Sequence, residues 1–313
     1  ASGKTVLLDM KIPLRPDERL FKIGARATSS SRPRGTEALK PSRLLSYRQS
    51  FAVREDVWED WPRLGMDPRR AEETLILKVA SEADAASAFQ SPAHWVMLTA
   101  SRQNLERYAK RRLHPAQRNR LMWSLPPLMT EKDVVYYRAA VQWMTDRGFN
   151  SWEVNDWGHL DLFHGVPAAV LIAGYRFNIR NGAAQACLAD AGCRWGVFSL
   201  EITSQELSIL GQGPFSLLPI VTVYGWPPLF TSRLMPGLLE GKPFHTPKKD
   251  AYFYKKTAHH SLIYADHPVS WFEQIPALRN MGYRCFLIDL SDGPLDQGRE
   301  MSRLLSGYKR NRA

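Results

Sequence analysis

From Leu75 onward the hydrophobic and polar positions repeat one rhythm: a short aliphatic or β-branched run, then Ser or Thr, then an acid or amide three residues later, then helical spacing. The runs at 75–79, 95–98, 121–123, 197–202 and 262–264 precede Ser81-x-x-Asp84, Ser101-x-x-Asn104, Thr130-x-x-Asp133, Thr203-x-x-Glu206 and Ser270-x-x-Glu273. A hydroxyl at an N-cap satisfies free helix N–H groups, and the residue three positions on reaches back or complements the helix dipole. Each repeat therefore predicts strand, cap and helix. After Thr130, the residues Val134, Tyr137, Val141 and Met144 share one helix face, and Gly148 is placed as a left-handed stop. A helix over 271–281 ends in the same way at Gly282, with Pro276 expected to kink or split it. Further strands are predicted over 151–154, 168–173, 219–224 and 283–289. Strands alternating with helices imply a parallel sheet, and about eight units over about 230 residues fit a closed barrel better than an open doubly wound sheet. No G-x-G-x-x-G follows any strand. The expected fold class is α/β, a TIM-like (β/α)8 barrel with a small N-terminal β module and linker.

The first part of the chain has a different texture. Residues 5–10 and 19–24 read as two strands joined by a turn containing Pro13 and Pro16, and 27–42 is rich in Ser, Arg and Pro without period. The expected division is 1–70, a partial β module and basic linker; 71–306, the barrel; and 307–313, a basic tail. The chain opens on Ala1-Ser2-Gly3 rather than Met and runs at once into a strand-like segment, as a fragment of a longer protein does.

Composition narrows the class. Over 313 residues, 44% hydrophobic and 23% charged residues describe a soluble globular chain and exclude disordered and fibrous classes. No apolar run approaches the roughly 20 residues needed to span a bilayer, so no membrane partner is expected; the few scattered cysteines make a reducing cytoplasm the expected compartment. Three cysteines, Cys187, Cys193 and Cys285, make no disulfide framework and no C-x-x-C motif. The net charge of +11 is concentrated: residues 1–54 carry twelve basic and four acidic side chains, 101–120 seven and one, and 303–313 four and none. Such a field attracts polyanions, which makes RNA an expected partner through Arg102, Arg107, Lys110, Arg111, Arg112, Arg118 and Arg120; the alternative is a solvated helix face.

In parallel barrels the reactive groups stand on loops after the strand C-termini. The polar residues predicted there include Asn155, Asn178, Arg180, Glu201, Tyr224, Arg233 and Asp289. Two carboxylates on neighbouring loops suit acid/base work, which nominates Glu201 and Asp289, with Asn155, Asn178, Arg180, Tyr224 and Arg233 binding substrate. Glu201 stands inside an otherwise apolar run, and pairing with Arg180 for structure is its alternative role. Asn181 and Asp292 read as a helix cap and a turn residue. No G-x-S-x-G, H-E-x-x-H or P-loop occurs, and His259-His260 point to opposite faces if they open a strand, so no metal site is expected.

The segment 218–233, with Tyr224-Gly225-Trp226-Pro227-Pro228-Leu229-Phe230-Thr231-Ser232-Arg233, resembles the peptidase U32 (collagenase-like) family. Phe177-Asn178-Ile179-Arg180-Asn181, the stretch 199–207, and the stretch from Leu262 through Pro268 to Leu290 agree in order, so the resemblance covers about residues 75–292. It implies a TIM-like barrel, a peptidase label, and relatives that act in hydroxylation of RNA or of a quinone precursor. Many such relatives hold an iron–sulfur cluster through four cysteines, the first just after the Ser-Arg. Here Leu234 and Met235 stand at that place, so no cluster and no other cofactor is expected. Three functional readings follow: a U32-like protein working on or with RNA without its own cluster; a hydrolase of peptides or proteins using barrel carboxylates; and a non-catalytic scaffold that binds a partner subunit. A charged pocket at the strand ends argues against the scaffold.

Overall fold

The computed structural model describes residues 67–311 except 112, 248, 258–259 and 294–299. The expected β module and most of its linker, Arg112 and His259 lie outside the described residues. Eight parallel strands close a barrel: β1 (Thr74–Val79), β2 (Trp95–Thr99), β3 (Leu121–Ser124), β4 (Ser151–Val154), β5 (Val170–Ala173), β6 (Cys193–Val197), β7 (Leu218–Gly225) and, after an insertion, β13 (Cys285–Leu290). Each pairs with its neighbour in sequence, and β13 closes the ring between β7 and β1. The protein is a TIM-type (β/α)8 barrel.

Helices follow the strands: α1 (Glu82–Phe89), α2 (Arg102–Lys110), α3 (Pro115–Asn119), α4 (Glu131–Thr145), α5 (Trp157–Leu160), α6 (Gly182–Asp190), α7 (Ser204–Gln212), α8 (Ile275–Asn280) and α9 (Met301–Arg310). Ser81, Ser101, Thr130 and Thr203 are side-chain N-caps, the last two in full capping boxes. The fifth expected cap, Ser270, instead ends a short strand, β12 (Val269–Ser270), that pairs antiparallel with β7. Pro276 occupies the first turn of α8, where its missing N–H costs nothing, so the predicted 271–281 helix divides into a 3₁₀ turn and α8.

Two further expectations are corrected. Residues 262–264 are not a barrel strand. They belong to β11 (Ser261–Ala265), which with β8 (Phe230–Ser232), β9 (Pro243–His245) and β10 (Ala251–Lys256) forms an antiparallel sheet in the order β8-β11-β10-β9, inserted between β7 and β13. Residues 307–310, placed in a basic tail, are the last turn of α9, anchored by buried Tyr308, whose hydroxyl donates to Glu73.

Inward side chains recur every second residue along each strand. The lower and middle lumen is apolar: Ile76, Met97, Met122, Ile172, Val197, Ile220, Cys285 and Leu287 pack together, with Trp95 and Trp195 edge to face at 6.2 Å. One pleat nearer the C-terminal ends the same alternation brings in Lys78, Thr99, Ser124, Glu153, Thr222 and Asp289. The barrel is thus plugged by hydrocarbon below and lined by polar groups at its mouth.

Candidate active site at the barrel mouth

The mouth opens into a cavity of about 250 Å³ between the strand ends and the inserted sheet. At its floor the Lys78 ammonium donates to Glu153 Oε2 at 2.7 Å and lies 3.6 Å from Asp289 Oδ2. Lys78 and Asp289 are register partners on adjacent strands, and Glu153 reaches across the lumen from β4. Burial opposes the charge on Lys78, but the carboxylates of Glu153 and Asp289 outweigh it and hold its pKa above the ordinary lysine value. The amine is a fixed cation, not a neutral nucleophile.

Glu153 is fully buried and its Oε2 also accepts from the Ser124 hydroxyl, while Oε1 is buried with no hydrogen-bond partner. Asp289 Oδ1 accepts from the Ser291 backbone N–H at 2.9 Å and its hydroxyl at 2.6 Å. Asn155 donates through Nδ2 to the Leu125 carbonyl at 2.9 Å, and its backbone N–H donates to His159 Nδ1 at 3.1 Å. Burial holds the His159 pKa below the ordinary value and keeps that nitrogen an acceptor. A Cβ on Gly174 would come within 2.1 Å of Asn155 Oδ1, so this glycine leaves room for the amide rather than meeting a backbone requirement.

The inserted sheet is fastened to the barrel rim through Asp292. Its carboxylate accepts from the Tyr264 hydroxyl and from Gly293 N–H at 2.9 Å, and Lys255 Nζ lies 3.4 Å from it and 3.2 Å from the Gly293 carbonyl. Asp292 is therefore both the expected turn residue and part of the cavity wall. Two similar segments line the mouth from the ends of β3 and β7: Ser124-Leu125-Pro126-Pro127-Leu128 on one side, and Gly225-Trp226-Pro227-Pro228 on the other. These strands stand four places apart in the ring of eight, the largest separation it permits.

Of the residues nominated from sequence, Asp289 and Asn155 line this cavity. Glu201 does not: β6 ends at Val197, and Glu201 is an exposed turn residue whose N–H donates to Ser199 Oγ at 3.1 Å. Arg180 pairs with Glu206, not Glu201, at 2.7 Å. The carboxyl of Glu206 is held at about 2 by the Thr203 backbone N–H and by Arg180. Asn178 is exposed in the left-handed region (φ 54°), and its Oδ1 accepts from Ser199 Oγ at 2.6 Å, tying two loops together outside the cavity. Tyr224 is buried in the outer layer, its ring stacked on Phe272 at 5.8 Å. Arg233 is exposed beyond β8.

Most of the basic stretch is engaged within the molecule. Arg102 pairs with Asp133 at 2.9 Å and lies over the Tyr136 ring at 4.2 Å. Arg107 and Arg111 share Glu82 at 3.3 and 2.8 Å. Arg118 donates to the Arg147 carbonyl at 3.2 Å, and Arg120 to the carbonyls of Phe89, Ala93 and His94. Lys110 is exposed.

The residues that sequence reasoning missed are Lys78, Glu153, Ser124 and Arg176. Lys78 and Glu153 each interrupt an apolar strand, the same signal that drew attention to Glu201. The three cysteines bear on the iron–sulfur cluster that the resemblance implies for many relatives. Leu234 and Met235 are exposed non-ligands, Cys187 lies on α6, and burial pushes the Cys193 thiol up to about 12 and Cys285 higher, against the thiolate that a cluster needs. Among the described residues no group of three His, Cys, Asp or Glu side chains is placed to hold a metal ion, and no helix is long and apolar enough to cross a membrane.

No protein-family model matches the chain, and no curated protein sequence does. Solved structures similar to it include thiamine phosphate pyrophosphorylase from Pyrococcus furiosus (6% identity, 77% of this chain and 97% of that one, TM-score 0.41). N-acetylmannosamine-6-phosphate 2-epimerase from Clostridium perfringens is similar at 8% identity (78% and 96%, TM-score 0.37), and the homocysteine methyltransferase MmuM from Escherichia coli at 12% (78% and 99%, TM-score 0.39).

Proposed function

We propose that this barrel is a hydrolase of peptide amides, of U32-like kind, working at its C-terminal mouth. The observation that carries the reading is the Lys78 ammonium held between the buried Glu153 carboxylate and the partly exposed Asp289 carboxylate at the floor of an open cavity. Burying Lys78 and Glu153 and partly burying Asp289 there costs desolvation that a hydrocarbon plug, of the kind filling the lumen below, does not incur. The charges are best explained by chemistry. Asp289 takes a proton from water as the water oxygen bonds to the carbonyl carbon. Lys78, already charged, stabilises the oxyanion. The C–N bond then breaks, and the proton on Asp289 passes to the leaving nitrogen. The peptidase label implied by the resemblance over residues 75–292 supports the same reading. A charged mouth weighs against the scaffold, and an RNA partner keeps less support because most of the arginines nominated for it are bonded to neighbouring helices and loops.

The test is turnover of a panel of dipeptides and peptide amides by the full chain. Active wild type is expected, with kcat/KM lowered by about 10²–10³ in K78M and D289N. No turnover by the wild type, or unchanged rates in D289N, would overturn the proposal.

A further inference from the structure

We infer that the cavity takes the carboxyl-terminal residue of a peptide, that its side chain is apolar, and that Arg176 reads its free α-carboxylate. The inference rests on the hydrolase reading and names its substrate class. Three features of one cavity, independent of one another, point to three groups of a single amino-acid residue.

The first is charge at the floor. Lys78 faces both Glu153 and Asp289, so the set carries one carboxylate in excess; Lys78 and Asp289 line the cavity, and Asp289 is the carboxylate of the set that does. The nitrogen released by scission becomes an ammonium beside that carboxylate, which matches the excess. The second is charge at the rim. Lys255 is engaged by Asp292 and the Gly293 carbonyl. Arg176, on the 3₁₀ turn Tyr175–Phe177 after β5, also lines the cavity, lies over the Tyr175 ring at 5.5 Å and makes no ion pair among the described residues. A guanidinium offers a carboxylate two parallel donors.

The third is the pair of Pro-Pro-Leu segments. Pro126 and Pro127 on one side, with Trp226, Pro227 and Pro228 on the other, give two stiff apolar walls on opposed strands. Proline fixes its own backbone, so these walls hold their shape without a ligand. A cavity of about 150 Å³ holds a benzene ring, and about 250 Å³ holds one such side chain with its amino and carboxylate groups. That size suits a single terminal residue, not a stretch of folded chain.

The experiment is calorimetric binding of product-like probes to the full chain: L-phenylalanine, L-phenylalaninamide, which lacks the carboxylate, and 3-phenylpropionate, which lacks the ammonium. L-phenylalanine is expected to bind at least tenfold tighter than either. R176M is expected to remove the preference over the amide without weakening the amide itself, with R176K intermediate. Melting curves matching wild type verify that both variants fold, as expected for a guanidinium with no ion pair to lose. Equal affinity for L-phenylalanine and its amide in the wild type, or an unchanged preference in R176M, overturns the inference. Turnover separates the two proposals. A wild type that cleaves free and amidated carboxyl termini alike overturns this inference and leaves hydrolysis standing. A wild type that cleaves nothing, yet binds L-phenylalanine with this selectivity, overturns hydrolysis and leaves the carboxylate site.

Discussion

The lower and upper parts of the barrel lumen are built on the same strands, at alternate inward positions, from opposite chemistry. On β1 the inward residues are Ile76 and then Lys78; on β3, Met122 and then Ser124; on β13, Leu287 and then Asp289. Two residues of rise separate a close-packed apolar layer from a layer in which a buried ammonium is held by two carboxylates. The lower layer is what burial alone would select. The upper layer forgoes that stabilisation, and its position at the strand C-termini is where barrel enzymes place their chemistry. The division also shows why a charged residue inside an apolar strand is informative only once its height in the barrel is known.

The sharpest way to break this comparison is to remove one charge. K78M leaves Glu153 and Asp289 without their cation, and a loss of about 3–5 kcal/mol is expected in denaturant unfolding. M122A, one layer down, is expected to lose about 2–5 kcal/mol through its cavity alone. The two differ when a second charge is removed. K78M/E153L replaces the 2.7 Å pair by hydrocarbon and leaves Asp289 with its Ser291 donors, so stability is expected to equal wild type or exceed it by about 1–4 kcal/mol. A double variant as unstable as K78M would show that the trio is structural and would remove the main reason for assigning it chemistry.

The fold was legible because its signals are local. Ser81, Ser101, Thr130 and Thr203 cap the helices as their spacing predicts, and Gly148 and Gly282 take positive φ at 83° and 97°. The inserted sheet was not legible, since an aliphatic run such as 262–264 carries no mark of parallel or antiparallel pairing. For the candidate site, Asp289 and Asn155 line the cavity because they stand at true strand ends. Glu201 was misplaced because its apolar run extends past Val197, where the ladder stops, so residues read as strand are a turn. Lys78 and Glu153 are not marked as site residues by a position past a strand end, because they lie within strands and their long side chains reach the mouth from one pleat lower. The matched Pro-Pro-Leu segments were present in the sequence, but only closure of the ring gives them opposite positions.

A smaller effect tests how the mouth is supported. His159 Nδ1 accepts from the Asn155 backbone, and burial holds the His159 pKa down. A histidine whose folded pKa is depressed contributes stability that is complete above its unfolded pKa, about 6.5, and is lost as pH falls below it. Wild type is therefore expected to lose stability below about pH 6.5, by at most about 1.4 kcal/mol per pH unit from this one group. H159Q, which keeps an acceptor but does not titrate, is expected to flatten that slope; matching pH profiles for the two proteins would remove His159 from the account.

The smallest expected effect is the most discriminating between the mouth and its surroundings. Glu201 is exposed on the turn after β6 and touches no group of the floor, so E201Q is expected to change stability by less than about 0.5 kcal/mol. It is also expected to leave kcat/KM on a cleaved peptide unchanged, whereas D289N lowers it. Asp289 stands within β13, near its end, and Glu201 on the turn after β6, and both were nominated from sequence for the same role, so their difference isolates position. A large loss in E201Q would mean that the loop after β6 folds over the cavity during turnover, and the reacting groups would then extend beyond the floor defined by Lys78, Glu153 and Asp289.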